Sequence, residues 1–364
     1  MLAPVDHLVV PSVGHRFRRN VFAIQSERFL PDDSQLQSLL GLNVESPVAE
    51  ILRSALFNPI EELICNRGKR VRGQLVTLGC RLFGECGELP STVREKCRIC
   101  AEVVELIHAG SLIVDDIEDG SRTRRGQPAL HIRYGMALAL NAGNWLYFWP
   151  FQLLKQLRLP IDKMTFASER YHQTLLRAHF GQALDLGAGV DVIPRCQIED
   201  VCLTSMRLKT GALMGFALLL GGLAAGAPER ALSVIDEFGA DLGVALQMFD
   251  DLGNVTGKCA PAKKYEDLLL NRPSWVWACA ARTTDNQRYG EFVAAVKKLP
   301  DATELEAWME KKELMRVGRE SARRYLDLAF HKLRRKLDAH SIRWSNAALD
   351  ELKTLGEAIA VAYE

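Results

Sequence analysis

Residues 101–126 of the chain, AEVVELIHAGSLIVDDIEDGSRTRRG, are apolar for three helical turns and then become strongly acidic. Asp115 and Asp119 are four positions apart, so a helix would place their carboxylates on one face, with Asp116 at its edge. Like charges at this spacing destabilise a helix unless a cation binds them. Mg²⁺ prefers oxygen ligands and commonly holds substrate phosphates, so it is the cation that fits this cluster best.

Three arginines, Arg122, Arg124 and Arg125, follow the acidic residues directly. A guanidinium group can donate two parallel hydrogen bonds to one phosphate, which makes arginine well suited to phosphate recognition. An acidic cluster followed by arginines therefore predicts a site for a metal and a diphosphate. Taken alone, the stretch also fits a solvated acidic helix end followed by a basic turn, and that alternative stays open at this point.

A second acidic segment, QMFDDLGN at residues 247–254, echoes the first. Asp250 and Asn254 are again four positions apart, with Gln247 on the same helical face and Asp251 beside it. The segment precedes a loop with cationic side chains, among them Lys263, Lys264 and Arg272. Two acidic helices that face each other would hold several divalent ions between them, and the cations would neutralise the remaining phosphate charge. The pair is far more specific than either segment alone.

Two further segments have the residue types of anion contacts. Residues 68–73, GKRVRG, form a glycine-bounded basic loop with Lys69 and Arg72 just before an apolar helix. Loop glycines let the backbone approach an anion closely. Lys209 and Thr210 offer a cation and a hydroxyl next to a break or bend that precedes a long apolar run. Basic loops are common, so each segment is only moderately specific.

Small and polar residues occupy the helical turns around the first acidic cluster. His108 lies seven positions before the first aspartate, hence on the same side of a helix, two turns away. Without further evidence, the preferred interpretation of such a residue is a buried histidine of the core that makes one hydrogen bond. Gly110 and Ser111 lie one turn below the acids and would leave room for a long molecule to pass. On a later helix, Gln182 and Asp185 share a face.

The composition argues against several classes of protein. The 364 residues carry a formal net charge of +1, so there is no overall attraction to nucleic acid or to an anionic membrane. Nine cysteines and no secretory signal pattern indicate reduced thiols in a cytoplasmic protein. Residues 211–227 carry no charge, but this short run rich in Gly and Ala is expected to be a buried core helix and not a transmembrane segment.

The spacing of apolar residues predicts an all-α fold. They recur at intervals of three and four, while alternating β-branched runs are scarce. Residues 1–45 are mixed and contain several prolines, so their structure is left open. Residues 46–364 contain no repeat or low-complexity linker and are expected to form a single domain.

With both acidic motifs, the basic loop and the Lys-Thr-Gly segment identified, the chain resembles the trans-isoprenyl diphosphate synthases from about residue 50 to 340. HAGSLIVDDIEDGSRTRRGQPALH and LQMFDDLGN are similar to the first and second aspartate-rich motifs of this family, in particular of its geranylgeranyl diphosphate synthases. The resemblance implies an isoprenoid-synthase-type helical bundle around a deep central cavity. It also implies a homodimer with three Mg²⁺ ions per site, for which Mn²⁺ is a possible substitute.

The resemblance also implies roles for residues at matching positions. The expected Mg²⁺ ligands are Asp115, Asp116, Asp119, Asp185, Asp250, Asp251 and Asn254, with Gln182 paired to Asp185. The expected contacts of an allylic diphosphate are Arg124, Lys209 and one of Lys263 or Lys264, and Arg272 falls where the family usually has a lysine. The expected isopentenyl diphosphate pocket contains Lys69, Arg72, His108 and Arg125, and Thr210 and Gln247 would line the reacting carbons.

The activity that the resemblance implies is condensation of isopentenyl diphosphate with an allylic diphosphate. The small residues Gly110 and Ser111 argue against a cavity floor that stops at fifteen carbons, so the expected product is geranylgeranyl diphosphate, although Tyr147 and Phe148 could set another length. The alternatives are a cyclase or irregular prenyl-coupling enzyme of the same fold, and a non-catalytic subunit of a synthase. An intact isopentenyl diphosphate pocket argues against the first, and two nearly complete acidic clusters argue against the second.

Overall fold

The computed structural model describes residues 30–41, 47–66, 68, 70–84, 89–187, 189–257 and 264–363. Within these ranges the only strands are Thr123–Arg124 (β1) and Gln127–Pro128 (β2), which pair antiparallel in a small hairpin after the first acidic cluster. All other regular structure in the described ranges is helical, which confirms the predicted all-α class. Lys69, Lys263 and most of the segment 1–45 lie outside the described residues.

The α-helices of the described residues follow one another with short connections. In chain order they are α1 Asp33–Leu40, α2 Pro47–Leu52, α3 Asn58–Cys65, α4 Val71–Phe83, α5 Ser91–Glu118, α6 Leu130–Tyr134, α7 Met136–Trp145, α8 Trp149–Lys155, α9 Ile161–Gly187, α10 Ile198–Met206, α11 Ala212–Ala224, α12 Glu229–Thr256, α13 Glu266–Leu269, α14 Trp275–Thr283, α15 Asn286–Val296, α16 Thr303–Lys311, α17 Leu314–Ala339 and α18 Asn346–Tyr363. Single π-helical turns occur at Arg53–Phe57 and Arg207–Gly211, and a 3₁₀ turn at Arg195–Gln197.

Helix α11 forms the centre of the bundle, and all 13 of its residues are buried. It packs against α4, α5 and α12. Glycines permit these close crossings, since a methyl group at Gly221 would overlap the backbone of Val76 on α4. One helical run among the described residues, 195–224, is apolar enough to cross a membrane by length and composition, but 78% of its most apolar window is buried inside the protein. The run therefore packs as the core helix that the sequence predicted.

Two long helices bring the acidic segments to the same end of the bundle. Helices α5 and α12 each have 28 residues, and each carries its acidic segment in its last turns. Gly120 adopts a left-handed conformation (φ 63°) just after α5, which glycine does at little cost, and the chain turns there into the hairpin. The length of α5 and α12 thus places the carboxylates beyond the apolar core, where they can face a ligand.

The π-helical turn between α10 and α11 carries Lys209 and Thr210. Such single wide turns inside helical runs are rare and occur frequently at functional sites. This turn passes so close to α9 that a methyl group at Gly181 would overlap the backbone nitrogen of Lys209 and lie 2.8 Å from the carbonyl carbon of Leu208. The absence of a side chain at Gly181 is therefore what lets the turn pack against α9.

Candidate active site

A cavity of about 460 Å³ lies between the ends of α5, α9 and α12. Both acidic segments line it, with Asp115 on α5, Asp119 directly after the last residue of α5, and Asp250 on α12. Further predicted residues that line it are Asp251, Asn254, Asp185, Gln182, Lys209, Thr210, Gln247, Arg124, Arg272, Arg72, His108 and Ser111. The two acidic segments thus face a common space, as the sequence predicted for a site between them.

Two cations hold the carboxylates of α5 and α9 together. Lys209 Nζ lies 3.1 Å from Asp115 Oδ1 and 2.7 Å from Asp185 Oδ2. Arg272 forms an ion pair with Asp119, and its Nη1 lies 3.4 Å from Asp185 Oδ2. Burial alone would lower the pKa of Lys209, but the two neighbouring carboxylates outweigh it and raise that pKa, so the lysine stays charged. Lys209 and Arg272 therefore offset two of the three negative charges of Asp115, Asp119 and Asp185, and one negative charge remains.

The carboxylates around the cavity suit a divalent cation. Burial, followed by repulsion from Asp250 and Asp185, raises the pKa of Asp267 to about 7. Burial and the neighbouring Asp115 likewise raise the pKa of Asp119. Such a crowded set of hard oxygen donors is what Mg²⁺ binds. Among the described residues, no three acidic, His or Cys side chains converge tightly enough to enclose a metal by themselves. Mg²⁺ sites in proteins commonly take part of their coordination from bound phosphate and water.

A hydrogen-bonded chain connects the π-helical turn to the second acidic segment. Thr210 Oγ1 donates to Gln247 Oε1 at 2.8 Å, and Gln247 Nε2 donates to Asp250 Oδ2 at 3.2 Å and to Asp251 Oδ1 at 3.0 Å. The second oxygen of Asp251 accepts the backbone N–H of Trp275 at 2.7 Å. Asp251 is buried, and both of its oxygens are engaged by protein donors. Asp250 is thus the more accessible carboxylate of this pair.

Asp116, which the sequence predicted as a metal ligand, lies outside the cavity lining in the structure. Asp116 is 3% exposed, does not line the cavity, and accepts hydrogen bonds from Arg124 Nε at 2.9 and 3.0 Å. Successive helical residues differ by about 100° in direction, which turns Asp116 away from the face of its neighbour Asp115. Its carboxylate instead holds Arg124, which does line the cavity.

The predicted isopentenyl diphosphate pocket begins with an arginine and a histidine in contact. Arg72 Nη1 lies 3.0 Å from His108 Nε2. Arginine has no acceptor, so His108 must accept here and carry its proton on Nδ1. Burial and the adjacent Arg72 hold the pKa of His108 well below its usual value, which keeps the ring neutral. Arg72 Nε is buried without a hydrogen-bond partner among the described residues. Arg125 and Gly68 line a smaller pocket that adjoins His108.

Two other predicted positions lie elsewhere in the structure. Gly110 is predicted to border the chain-length pocket, but a methyl group there would lie 2.9 Å from both Gly143 O and Leu146 Cβ, so it packs against α7. Ser111 alone of that pair lines the cavity. One of Lys263 or Lys264 is predicted to contact an allylic diphosphate. Lys263 lies outside the described residues, and Lys264, whose Nζ pairs with Glu306 at 2.9 Å, is not among the residues that line the cavity.

Three residues that line the cavity, His179, Glu118 and Tyr363, were not predicted as site residues. Tyr147, which the sequence named as a possible limit on product length, also lines it, and its ring meets that of His179 edge to face with centroids 5.0 Å apart. His179 stands three positions before Gln182, so helical spacing from that residue could have indicated it. Glu118 also lines the cavity and accepts from Gln182 Nε2 at 2.5 Å. Tyr363, at the far end of the chain, has no local signal that would have identified it.

Comparison with known proteins identifies the class to which this fold and site belong. The chain matches the family model of polyprenyl synthetases over residues 53–311, and it is a member of the polyprenyl synthetase family. Its sequence is 33% identical over 204 residues to a geranylgeranyl diphosphate synthase of Sulfolobus acidocaldarius, covering 55% of this chain and 58% of the relative. It is 31% identical over 239 residues to a geranylgeranyl pyrophosphate synthase of Aspergillus fumigatus, covering 62% of each. The aligned region thus spans about three fifths of these relatives.

Solved structures confirm the fold. A crystal structure of a geranylgeranyl pyrophosphate synthase superposes with a TM-score of 0.73 at 18% identity, covering 97% of this chain and 98% of the other. The geranylgeranyl pyrophosphate synthase of Corynebacterium glutamicum, crystallised with isoprenyl diphosphate and magnesium, gives a TM-score of 0.71 at 20% identity, with coverage of 92% and 96%. Both the predicted family and the predicted helical architecture are therefore confirmed.

Proposed function

We propose that the protein is a Mg²⁺-dependent prenyltransferase that condenses isopentenyl diphosphate with an allylic diphosphate, with geranylgeranyl diphosphate as its product. The observation that carries the proposal is the single cavity that both acidic segments, the cations Lys209 and Arg272, and the Arg72–His108 pair line together. The cavity has two cationic regions. Lys209 and Arg272 form one beside the carboxylates, and Arg72 forms the other beside His108. Two diphosphates can therefore bind in one space. The names of the relatives support the proposed product.

The residues that would hold Mg²⁺ are Asp115 and Asp119 on one side and Asp250 on the other. When bound, Mg²⁺ acts as a Lewis acid that stabilises the negative charge of the leaving diphosphate. The protein adds charge-assisted hydrogen bonds to the same diphosphate from three further side chains that line the cavity, Arg124, Lys209 and Arg272. Fixed donors of this kind stabilise developing charge without having to reorganise.

The second substrate, isopentenyl diphosphate, would bind beside His108. Arg72, His108 and Arg125 would contact its diphosphate, and Thr210 and Gln247 would line the reacting carbons. The allylic C–O bond would break to give diphosphate and an allylic cation, and the isopentenyl double bond would attack that cation to form the new C–C bond. The departing diphosphate would then remove a proton from the resulting cation, which restores a double bond. Apolar side chains among the lining, including Leu112, Leu175 and Leu213, keep water away from the cation. No dedicated protein base is needed for this sequence of steps.

Product analysis tests the proposal directly. Purified protein is incubated with Mg²⁺, isopentenyl diphosphate and dimethylallyl, geranyl or farnesyl diphosphate in turn, and the products are measured by mass spectrometry. A twenty-carbon diphosphate is the expected product. Hydrocarbon or alcohol from the allylic diphosphate alone would indicate a cyclase. Absence of any turnover by the purified protein, together with turnover after a synthase partner is added, would indicate a non-catalytic subunit.

The metal assignment predicts a ligand-dependent stability. Because binding to the folded state alone stabilises it, Mg²⁺ with inorganic pyrophosphate at about a hundred times the dissociation constant is expected to add about 2.7 kcal/mol to the free energy of unfolding. Mg²⁺ alone is expected to add much less, since it would have to compete with the ion pairs that Lys209 and Arg272 already form with these carboxylates. Thermal unfolding with each ligand separately and together measures this. An equal shift with Mg²⁺ alone would contradict the shared coordination proposed here, and Mn²⁺ is expected to substitute for Mg²⁺.

The aromatic pair of Tyr147 and His179 is expected to limit the length of the product. Tyr147 and His179 both line the cavity with their rings in contact, and the Tyr147→Ala/His179→Ala double variant removes both rings. The distribution of products is expected to shift beyond twenty carbons, because the growing chain can then extend past the α9 wall. His172→Ala is the matched control, since this histidine is exposed on the same helix and contacts Phe151 outside the cavity lining. An unchanged product distribution in the double variant would assign the length limit to other residues.

We also propose a homodimer. An exposed apolar surface, which we call the α9 surface, consists of Phe148, Leu176 and Phe180, with 71%, 58% and 62% exposure. Leu176 and Phe180 are four positions apart and so share a face of α9. Large apolar side chains exposed together in this way often mark an interface. Light scattering is expected to give a dimer for the natural protein and a monomer for the Leu176→Glu/Phe180→Glu variant. Leu328→Glu, which alters a leucine with 59% exposure on α17, is the control and is expected to remain dimeric.

We further propose that the enzyme acts in the cytoplasm. The described cysteines are free thiols, and Cys80, Cys97, Cys100, Cys202 and Cys279 among them are buried. Reduced thiols are typical of that compartment. Fractionation of cells that express the full chain tests this location, and recovery in an oxidising compartment would contradict it.

A further inference from the structure

A carboxylate that the proposed reaction does not use lies beside the Arg72–His108 pair. Glu105 is a half-buried residue of α5, one turn before His108, and it lines the small pocket that also contains Gly68 and Arg125. A negative charge next to arginines that bind a phosphate would by itself weaken phosphate binding. Its presence in this pocket therefore needs another physical explanation.

Glu105 caps the first turn of helix α4 from a neighbouring helix. Its Oε1 accepts the backbone N–H of Gly73, with the two atoms 2.8 Å apart. Helix α4 begins at Val71 after Arg70, whose φ is 49°, and within the described residues its own N-terminal segment supplies no side-chain cap. The first N–H groups of a helix have no partner inside the helix, and a carboxylate is favoured there. Glu105 supplies that acceptor.

The contact fixes the backbone that carries Arg72. Gly73 has no side chain, and a Cβ at this position would lie 3.3 Å from Glu105 Oε1 and 3.7 Å from Ala101 Cβ, so α4 approaches α5 closely here. Arg72 immediately precedes the hydrogen-bonded N–H. Once the first turn is held, the Arg72 side chain reaches His108 Nε2 at 3.0 Å.

Glu105 also offsets the repulsion among the arginines of this pocket. Burial lowers the pKa of Arg72 and of Arg125, and Glu105 is the carboxylate that opposes this most strongly in both. Arg124 and Arg70 add further positive charge around Arg125. Like charges this close repel one another until an anion binds between them. The negative charge of Glu105 reduces this repulsion, so the first turn of α4 and the side chain of Arg125 can stay close together.

We propose that Glu105 is a positioning residue that accepts the Gly73 N–H and thereby holds Arg72 in register with His108 for the diphosphate of isopentenyl diphosphate. This inference rests on the proposed function, because it assigns the pocket to that substrate. Glu105 does not touch the reacting atoms. It acts through the backbone of α4, and the substrate contacts remain those of Arg72 and His108.

Two substitutions separate the hydrogen bond from the charge. Glu105→Ala removes both, and it is expected to raise the KM for isopentenyl diphosphate about tenfold, with the KM for the allylic diphosphate and kcat changed less than about threefold. Glu105→Gln keeps an oxygen that can accept the Gly73 N–H, so it is expected to restore the KM to within about threefold of the natural protein. Glu95→Ala, which alters a carboxylate of α5 that pairs with Arg98, is the control and is expected to change neither KM.

Calorimetric titration with isopentenyl diphosphate, in assay buffer without the allylic substrate, measures binding separately from turnover. Glu105→Ala is expected to bind about tenfold more weakly than the natural protein. If the natural protein neither binds isopentenyl diphosphate nor condenses it, the proposed function fails. If it condenses the substrates but Glu105→Ala matches it, or Glu105→Gln is as impaired as Glu105→Ala, the positioning role is overturned. A parallel rise in both KM values with a lower Tm would overturn it too, since that is the result of a structural defect.

Discussion

Replacing Asp115 by asparagine is expected to lower kcat for condensation by about a thousandfold, because loss of a group that stabilises a developing charge costs roughly 3–4 kcal/mol. Asp115 Oδ1 is where Lys209 Nζ and Gln182 Nε2 converge, each at 3.1 Å. In the proposed function this carboxylate holds Mg²⁺ against the leaving diphosphate. Asparagine preserves the size of the side chain, so the effect isolates the charge. The KM for isopentenyl diphosphate is expected to change little, since Arg72 and His108 are unaltered.

Steady-state kinetics with both substrates varied measure this effect. Asp200→Asn is the matched control, because Asp200 is an exposed carboxylate in the first turn of α10 and takes no part in the cavity. It is expected to retain the activity of the natural protein. A decrease of less than about threefold for Asp115→Asn would show that this carboxylate does not hold the metal, since loss of a Lewis-acid ligand costs far more.

Replacing Gly181 by alanine is expected to destabilise the protein by about 2–3 kcal/mol, because an added methyl group overlaps atoms that cannot move independently. Those atoms are the backbone nitrogen and Cα of Lys209 and the carbonyl carbon of Leu208, all in the π-helical turn. Relief of the overlap moves the turn away from α9, which separates Lys209 from Asp115 and Asp185. The KM for the allylic diphosphate is therefore expected to rise at least about tenfold, through loss of charge-assisted contacts.

Gly187→Ala is the matched control, since Gly187 ends the same helix and an added methyl group there would have no heavy atom within 4 Å. Chemical denaturation and allylic-substrate kinetics of both variants measure the two effects. Natural stability together with natural KM in Gly181→Ala would contradict the close packing of α9 on the turn. A loss of stability with no change in KM would show that the position of Lys209 does not depend on this contact.

The helical architecture and the meeting of the two acidic segments could be predicted because both depend on local spacing. Residues four apart on a helix share a face whatever surrounds it, so Asp115 and Asp119 line the cavity together. The apolar run at 211–227 likewise indicated a buried helix, because uncharged residues on every face require burial on every face. Helical periodicity therefore shows which residues share a face and which helix is buried, even when no tertiary contact is known.

Assignments that depend on the direction of one side chain could not be made from spacing. Asp116 adjoins Asp115 in sequence but points to Arg124, and Lys264 points to Glu306. Each choice depends on a partner distant in the fold or on a loop whose path the sequence does not determine. Glu105 shows the same limit, since its contact with Gly73 joins residues 32 positions apart. Side-chain pairing between helices has to be observed.

The ion pairs of Lys209 and Arg272 have a consequence for the order in which ligands bind. Because protonated side chains already satisfy the carboxylates, a free divalent ion gains little by displacing them, whereas a phosphorylated substrate brings both oxygen ligands for the ion and new acceptors for the displaced cations. If the proposed function holds, occupancy of the metal site is thus expected to follow the concentration of prenyl substrate rather than that of free magnesium. The protein would bind little metal in the absence of substrate, and its active site would be complete only when substrate is bound.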